Sequence, residues 1–159
     1  MTDTPVFTIE EYVRWSDTDP AGIIYFGAYL RFCEIAESEL FRSLGFTYGG
    51  VLEEFGLVLP RAQLHLDFHH PVRLDDKLRV AVYLTRLGGA SMTVQHDIVD
   101  LATSRIAASG HMVLVSTTPG TIRPRPLPAK VREGLSRHVR TCEDARALLG
   151  VAPPPRGVR

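Results

Sequence analysis

The sequence is poor in residues that staple or anchor a protein, and it carries no net charge. It has only two cysteines, Cys33 and Cys142, in 159 residues, too few for a disulfide framework. Cys33 falls inside a helical pattern and reads as a small buried side chain. No apolar run approaches the ~20 residues that cross a bilayer. Met1 to Pro5 lacks the basic segment and apolar core of a secretion signal. The expectations are no membrane span and a reducing, cytoplasmic location. Charge of one sign is missing too: Lys plus Arg and Asp plus Glu number 18 each. That balance excludes a general field for nucleic acid and suits a chain that associates with itself. No histidine precedes His65, so the first third of the chain has no imidazole for acid–base work.

A chain of this length fits one domain, expected over residues 1–150, with a loose Pro-rich tail over 151–159. At about 150 residues a domain buries roughly 68–70% of its unfolded surface, enough for a core without staples. Val6 to Trp15 reads as a strand. Gly27 to Leu44 reads as the main helix, with Tyr29, Leu30, Cys33, Ala36, Leu40, Phe41 and Leu44 at steps of three and four. Arg31, Glu34, Ser38 and Arg42 form its polar stripe, and Gly45 ends it. Phe32 and Ile35 widen the apolar surface, so this helix expects cover on most sides. Gly49 to Phe55 suits a short second helix.

The remainder is mostly strands. Arg61 to His69 alternates cleanly, with Ala62, Leu64, Leu66 and Phe68 on one face. Arg79 to Arg86, Ser91 to Val99 and Arg105 to Ser116 continue the pattern, and Gly88-Gly89 marks a tight turn. Short connections make this meander antiparallel. One long helix followed by strands gives an α+β layer architecture. Pro119 to Pro128 is irregular. Ala129 to Arg140 and Cys142 to Leu148 read as surface helices.

One stretch stands apart. Asp17-Thr18-Asp19-Pro20-Ala21-Gly22-Ile23 is followed by Tyr25-Phe26-Gly27-Ala28-Tyr29-Leu30. Pro20 and Gly22 force a turn between a strand and a helix start. There, exposed backbone N–H groups can polarise an oxygen and a carboxylate can act on a carbonyl.

These residues resemble the signature of the 4-hydroxybenzoyl-CoA thioesterase family of hotdog-fold proteins, including the Tol-Pal-associated acyl-CoA thioesterases. The resemblance returns at Pro71-Val72-Arg73-Leu74-Asp75-Asp76 and at Arg123-Pro124-Arg125-Pro126-Leu127-Pro128. It implies a long central helix wrapped by an antiparallel sheet, and hydrolysis of an acyl-CoA or aroyl-CoA to free acid and CoA. Coenzyme A would then be part of the substrate, with no separate cofactor and no metal. It also implies a homodimer or homotetramer with active sites between subunits.

By the same resemblance, Asp19 is the catalytic carboxylate, as nucleophile or general base, and the backbone N–H of Phe26 is the oxyanion donor. Many relatives carry Tyr or His at this position. The change to Phe leaves a backbone role intact and removes any side-chain role. Packing in the core is the plain alternative for Phe26. Tyr25 and Tyr29 are pocket or core aromatics, and Gly22 belongs to the substrate-binding turn. Asp17 shapes the turn in support, and Glu34 is structural or a second carboxylate. Arg61 is a candidate for holding the active-site loop or a substrate phosphate. The family's basic hairpin cluster is replaced here by Leu87-Gly88-Gly89-Ala90, with only Arg86 nearby; Arg123, Arg125, Lys130 and Arg132 are either substitutes for meeting the CoA phosphates or simply a solvated basic surface.

Other constellations have plainer explanations. His65, Asp67 and His69 share a strand face that suits solvent or an interface better than a metal. His96 lies among apolar positions and reads as a satisfied buried histidine. Two other functions stand beside this one: a non-catalytic acyl-thioester-binding or scaffold protein, and a hotdog hydratase or dehydratase. The latter pairs a histidine with an acid near the long helix, and no histidine occurs here between Met1 and Gln63.

Overall fold

A computed structural model describes residues 4–155. Its centre is helix α1, the 16 residues Ala28–Ser43. The helix starts one residue after Gly27 and is closed by Gly45, whose φ of +85° suits a residue without a side chain. Tyr29, Phe32, Cys33, Ala36, Leu40 and Phe41 are buried, as the three-and-four spacing requires. Leu30, Glu34 and Arg42 remain exposed along one stripe.

A five-stranded antiparallel sheet curls around this helix. Its strands are β1 (Phe7–Tyr12), β2 (Arg61–Phe68), β3 (Lys77–Leu87), β4 (Ser91–Asp100) and β5 (Arg105–Val115), in the order β1-β3-β4-β5-β2. β1 stops short of the expected Trp15. The chain turns into a 3₁₀ segment at Trp15–Asp17 because the Asp17 carboxylate accepts a hydrogen bond from the Arg14 N–H at 2.8 Å. β2 pairs only with β5, so it is an edge strand with its other edge open among the described residues. All of β2 is exposed except the half-buried Leu66, including Leu64 and Phe68 at 50% and 53%.

Helix α2 (Tyr48–Phe55) is capped by Thr47, whose hydroxyl accepts from the Gly50 N–H at 2.9 Å. Helix α3 (Ala129–Ser136) ends four residues before the expected Arg140. Its Gly134 packs against the Leu44 side chain at the end of α1. Helix α4 (Cys142–Leu149) has Thr141 as its N-cap and Gly150 at φ +67° as its stop. Residues 151–155 of the expected tail form no helix or strand; residues 156–159 lie outside the described residues.

β4 differs from the alternating pattern expected of it. Met92, Val94, His96 and Ile98 face α1, yet Gln95, Asp97 and Val99 on the opposite parity are buried as well. The cause is α4, which covers the outer side of the sheet. Arg146 donates two hydrogen bonds to the Asp97 carboxylate, at 3.0 and 2.8 Å, and the Tyr83 hydroxyl donates a third at 2.8 Å. An alternating strand pattern presupposes one face in solvent, and a short helix far along the chain removes that condition.

Candidate active site

The segment between β1 and α1 is held by a dense set of backbone hydrogen bonds. The Asp19 N–H donates to the Ile23 carbonyl at 3.0 Å, and the Gly22 N–H donates to the Asp19 carbonyl at 2.9 Å. Gly22 takes φ +73° at this turn, a conformation costly for any residue with a Cβ. The Ile24 N–H reaches the Val72 carbonyl and the Tyr25 N–H reaches the Asp17 carbonyl, at 2.9 and 3.0 Å. Pro71 to Asp76 thus meets the first motif in space.

Asp17 fastens this turn. Its side chain is 3% exposed and receives Arg31 Nε at 2.8 Å and Nη2 at 2.5 Å as well as the Arg14 N–H. Burial alone would raise its pKa, but the Arg31 and Arg14 donors outweigh it and hold the carboxyl below its ordinary value. Arg31 therefore leaves the polar stripe and ties α1 to the loop. Arg73 assists by donating to the Gly22 carbonyl at 3.4 Å.

Asp19 is half-buried. Its Oδ1 accepts from the Ala21 N–H at 2.8 Å, which orients the carboxyl. Among the described residues Oδ2 has no hydrogen-bonded partner. Asp19 lines a cavity of about 420 Å³ with Ile23, Tyr25, Phe26, Tyr29, Phe68 and His70. The Phe26 N–H also donates to no described group, and it lies immediately before α1, where the helix dipole favours negative charge. A carboxylate and a free backbone donor at one cavity can, respectively, attack or deprotonate and stabilise the oxyanion.

The aromatics divide. Tyr29 is 3% exposed and packs on Phe68 with ring centroids 5.1 Å apart, so it serves core and cavity together. Tyr25 is partly exposed at the rim. The Phe26 side chain is 78% exposed, so the core-packing alternative is wrong for it. Gly22 borders a separate shallow cavity with Asp19, Trp15 and Pro20.

Glu34 and Arg61 are elsewhere. They line a second cavity of about 600 Å³ with Leu30, Ser38, Tyr48 and Leu64. Arg61 opens β2, while Phe68 at the other end of that strand borders the Asp19 cavity, roughly 23 Å away at strand rise. Arg61 does not touch the Asp19 loop. Its Nη2 donates to Glu37 Oε1 at 2.6 Å and its Nη1 to the Leu59 carbonyl at 3.3 Å.

Glu37 escaped the sequence reading. It lies four residues after Cys33 and three before Leu40, on the apolar face of α1, and it is 1% exposed. An acid at an apolar position was the available signal. Burial pushes its carboxyl up to about 7 even with Arg61 beside it. His96 is less satisfied than expected: its Nε2 is buried without a described partner, and burial pushes the imidazole down to about 4. The candidate phosphate ligands are largely committed to structure. Arg125 donates to the Gly56 carbonyl, Lys130 pairs with Glu54, and Arg132 donates to the Gly88 carbonyl.

Residues 13–135 match the family described as the thioesterase-like superfamily. The chain belongs to that superfamily. Its similarity to a 1,4-dihydroxy-2-naphthoyl-CoA hydrolase of Synechococcus sp. is 33% identity over 115 residues, covering 69% of this chain and 76% of the relative. An acyl-CoA thioester hydrolase, YbgC of Escherichia coli O6:H1, is 27% identical over 129 residues, covering 81% and 95%. The crystal structure of Slr0204, a 1,4-dihydroxy-2-naphthoyl-CoA thioesterase from Synechocystis, superposes with a TM-score of 0.77 at 23% identity, covering 82% of this chain and 96% of the other. The fold is therefore that of the hotdog thioesterases. Membership in the thioesterase-like superfamily is broader than the 4-hydroxybenzoyl-CoA branch that the motif resembles. The matched span holds both cavities and stops before α4.

Proposed function

We propose that this thioesterase-like protein hydrolyses an acyl-CoA thioester, with Asp19 as nucleophile or general base and the Phe26 N–H as oxyanion donor. The observation that carries this is the shared cavity: Asp19, with one carboxylate oxygen oriented and the other free, and Phe26, whose N–H has no described partner, both line it just before α1. The names of the Synechococcus and Escherichia coli relatives carry the same reaction class. A thiol leaves easily, with a reference pKa near ~8.5, so no general acid is required at the sulfur. As nucleophile, Asp19 would form an anhydride with release of CoA, and water would then cleave it. As base, it would take a proton from the attacking water. Coenzyme A enters as substrate, and no other cofactor is called for.

The active protein is a dimer in this proposal. β2 offers an open edge, and Leu64 and Phe68 are exposed on it, a combination that invites another strand. Pairing two copies of β2 antiparallel about a two-fold axis turns the Arg61 end of one toward the Phe68 end of the other. The Asp19 cavity of one copy then adjoins the Arg61 cavity of its partner, which reunites residues that a single chain keeps apart. Nucleic acid and membrane have no place in this function; among the described residues no helix is long and apolar enough to cross a membrane. Cytoplasmic residence remains part of the proposal.

The test is thiol release from a panel of acyl-CoA and aroyl-CoA esters by wild type and Asp19→Asn. The amide keeps an oxygen for the Ala21 N–H, so the turn survives. The expected loss of kcat is at least about 100-fold. Thioester binding by wild type without release would favour the scaffold function instead.

A further inference from the structure

Asp19 stands between two cavities. The first holds Tyr29, Phe68 and His70. The second, of about 410 Å³, is lined by Trp15, Thr18, Asp19, Pro20, Gly22 and Leu74. Phe68 ends β2, so the first cavity reaches the edge at which the proposed partner adds. No lining residue of the second belongs to β2; they come from the segment after β1 and the segment before β3. The second cavity carries an open apolar surface, with Trp15 81% and Leu74 37% exposed. Tryptophan is on average a highly buried side chain, and apolar surface gathered beside a reactive group marks a ligand contact. The Trp15 carbonyl accepts from the Thr18 hydroxyl at 2.9 Å, which pins the backbone there. Arg73 borders the same turn. Its Nη1 donates to the Gly22 carbonyl at 3.4 Å, and its guanidinium has no other hydrogen bond among the described residues.

We propose that the Trp15, Pro20 and Leu74 cavity receives the pantetheine arm of the CoA ester. This rests on the dimeric hydrolase reading above, which puts the thioester carbon at Asp19. From that carbon the acyl and thiol halves run apart, and Asp19 is the one residue that lines both cavities. The acyl half takes the cavity that Phe26 shares, and the thiol half takes the other. The reverse placement would send the arm and its charged nucleotide end toward the subunit seam. The arm alternates amides with methylenes and ends in a pair of geminal methyls. Those methyls suit the faces of Trp15 and Leu74, and an amide carbonyl suits the remaining donors of Arg73.

The experiment has two readouts. Turnover is compared for one acyl group carried on CoA, on pantetheine and on N-acetylcysteamine, which keeps the sulfur and the first amide but lacks the geminal methyls. Trp15→Ala is expected to raise KM about tenfold for the CoA and pantetheine esters, with kcat within about twofold, and to move KM of the N-acetylcysteamine ester by less than about threefold. Trp15→Phe keeps a ring face and should restore most of the affinity, while Leu74→Ala should move KM the same way by less. The second readout needs no turnover. Trp15 is the single tryptophan of the chain, so its emission reports on this cavity alone. An uncleavable S-alkyl pantetheine thioether should shift that emission to shorter wavelength and protect it from acrylamide, and the matching N-acetylcysteamine thioether should not. An emission unmoved by the pantetheine thioether overturns the inference. An equal rise in KM for all three esters also overturns it, because Trp15 then only shapes the Asp19 turn. A changed oligomeric state of Trp15→Ala does the same and assigns the indole to a contact between copies. In each case the hydrolase reading stands. Release from no ester overturns the hydrolase reading instead, and the emission alone then decides whether the arm binds here.

Discussion

Among the described residues three buried carboxylates meet an arginine, and two of them differ sharply from the third. Asp17 receives three hydrogen bonds, from both ends of the Arg31 fork and the Arg14 N–H. Asp97 likewise receives three, two from Arg146 and one from Tyr83. Glu37 receives one, from Arg61, and its second oxygen is bare. Surface exposure is nearly the same, at 3%, 0% and 1%, but Glu37 lies much deeper in the protein than Asp17. Depth and the count of donors together separate those two. Asp17, fully engaged, is held below its ordinary pKa, whereas Glu37 is pushed up to about 7. Closed pairs fasten one element to another. In the open pair Arg61 lines the larger cavity, while Glu37 stays closed off behind it with one oxygen lacking a described partner.

The comparison is broken most forcefully at Asp97. Arg146→Ala leaves a fully buried carboxylate with the Tyr83 hydroxyl as its one side-chain donor. The expected loss of stability is about 3–5 kcal/mol, read by denaturant unfolding, with α4 released from the sheet. A variant within about 1 kcal/mol of wild type would mean that these pairs are not fasteners.

Glu37 supplies the next effect, through pH. Its carboxyl ionises near 4.5 when unfolded and near 7 when folded. The folded state therefore binds more protons in that window, and this group withdraws stability as pH rises from about 4.5 to about 7. The full amount is about 3 kcal/mol. His96 acts in the opposite sense: burial lowers its pKa from 6.5 to about 4, so its contribution is lost as pH falls. The quantity to read is thus the difference between Glu37→Gln and wild type. The variant is expected to gain on wild type steadily across the window and to hold that gain above it.

Asp17→Ala gives the smallest of the three, about 2 kcal/mol. Arg31 is 33% exposed and water screens it once its partner is gone. Wild-type Asp17 contributes its stability above pH 3.8 and loses it as pH falls through the depressed folded value, the reverse of Glu37. Thioester turnover should fall with the substitution, because the Asp19 turn loses its tie to α1.

Much of this arrangement was legible before any coordinates. Gly27 and Gly45 bracket α1 because one precedes an apolar three-and-four pattern and the other follows it. Gly88-Gly89 joins β3 to β4 as a tight turn. The Asp19 segment declared itself through Pro20 and Gly22, which no helix or strand tolerates in that order. What stayed hidden depended on distant partners. Nothing local says that α4 will bury Asp97, or that Arg61 will choose Glu37 over the loop. Glu37 itself was visible only as an acid among apolar neighbours, which a pattern search smooths over. The separation of Arg61 from Asp19 reflects where the chain begins and ends β2, and a second copy restores their proximity in the proposed dimer.

The position of α4 also bears on how many copies can gather. That helix roofs the rear of β3 and β4, held down by the Asp97 and Arg146 contact. Another subunit cannot lay its own strands flat across that ground. A four-membered ring or stack of this chain must therefore grow from its flanks, and trimming the roof would open a building site that the intact protein keeps shut.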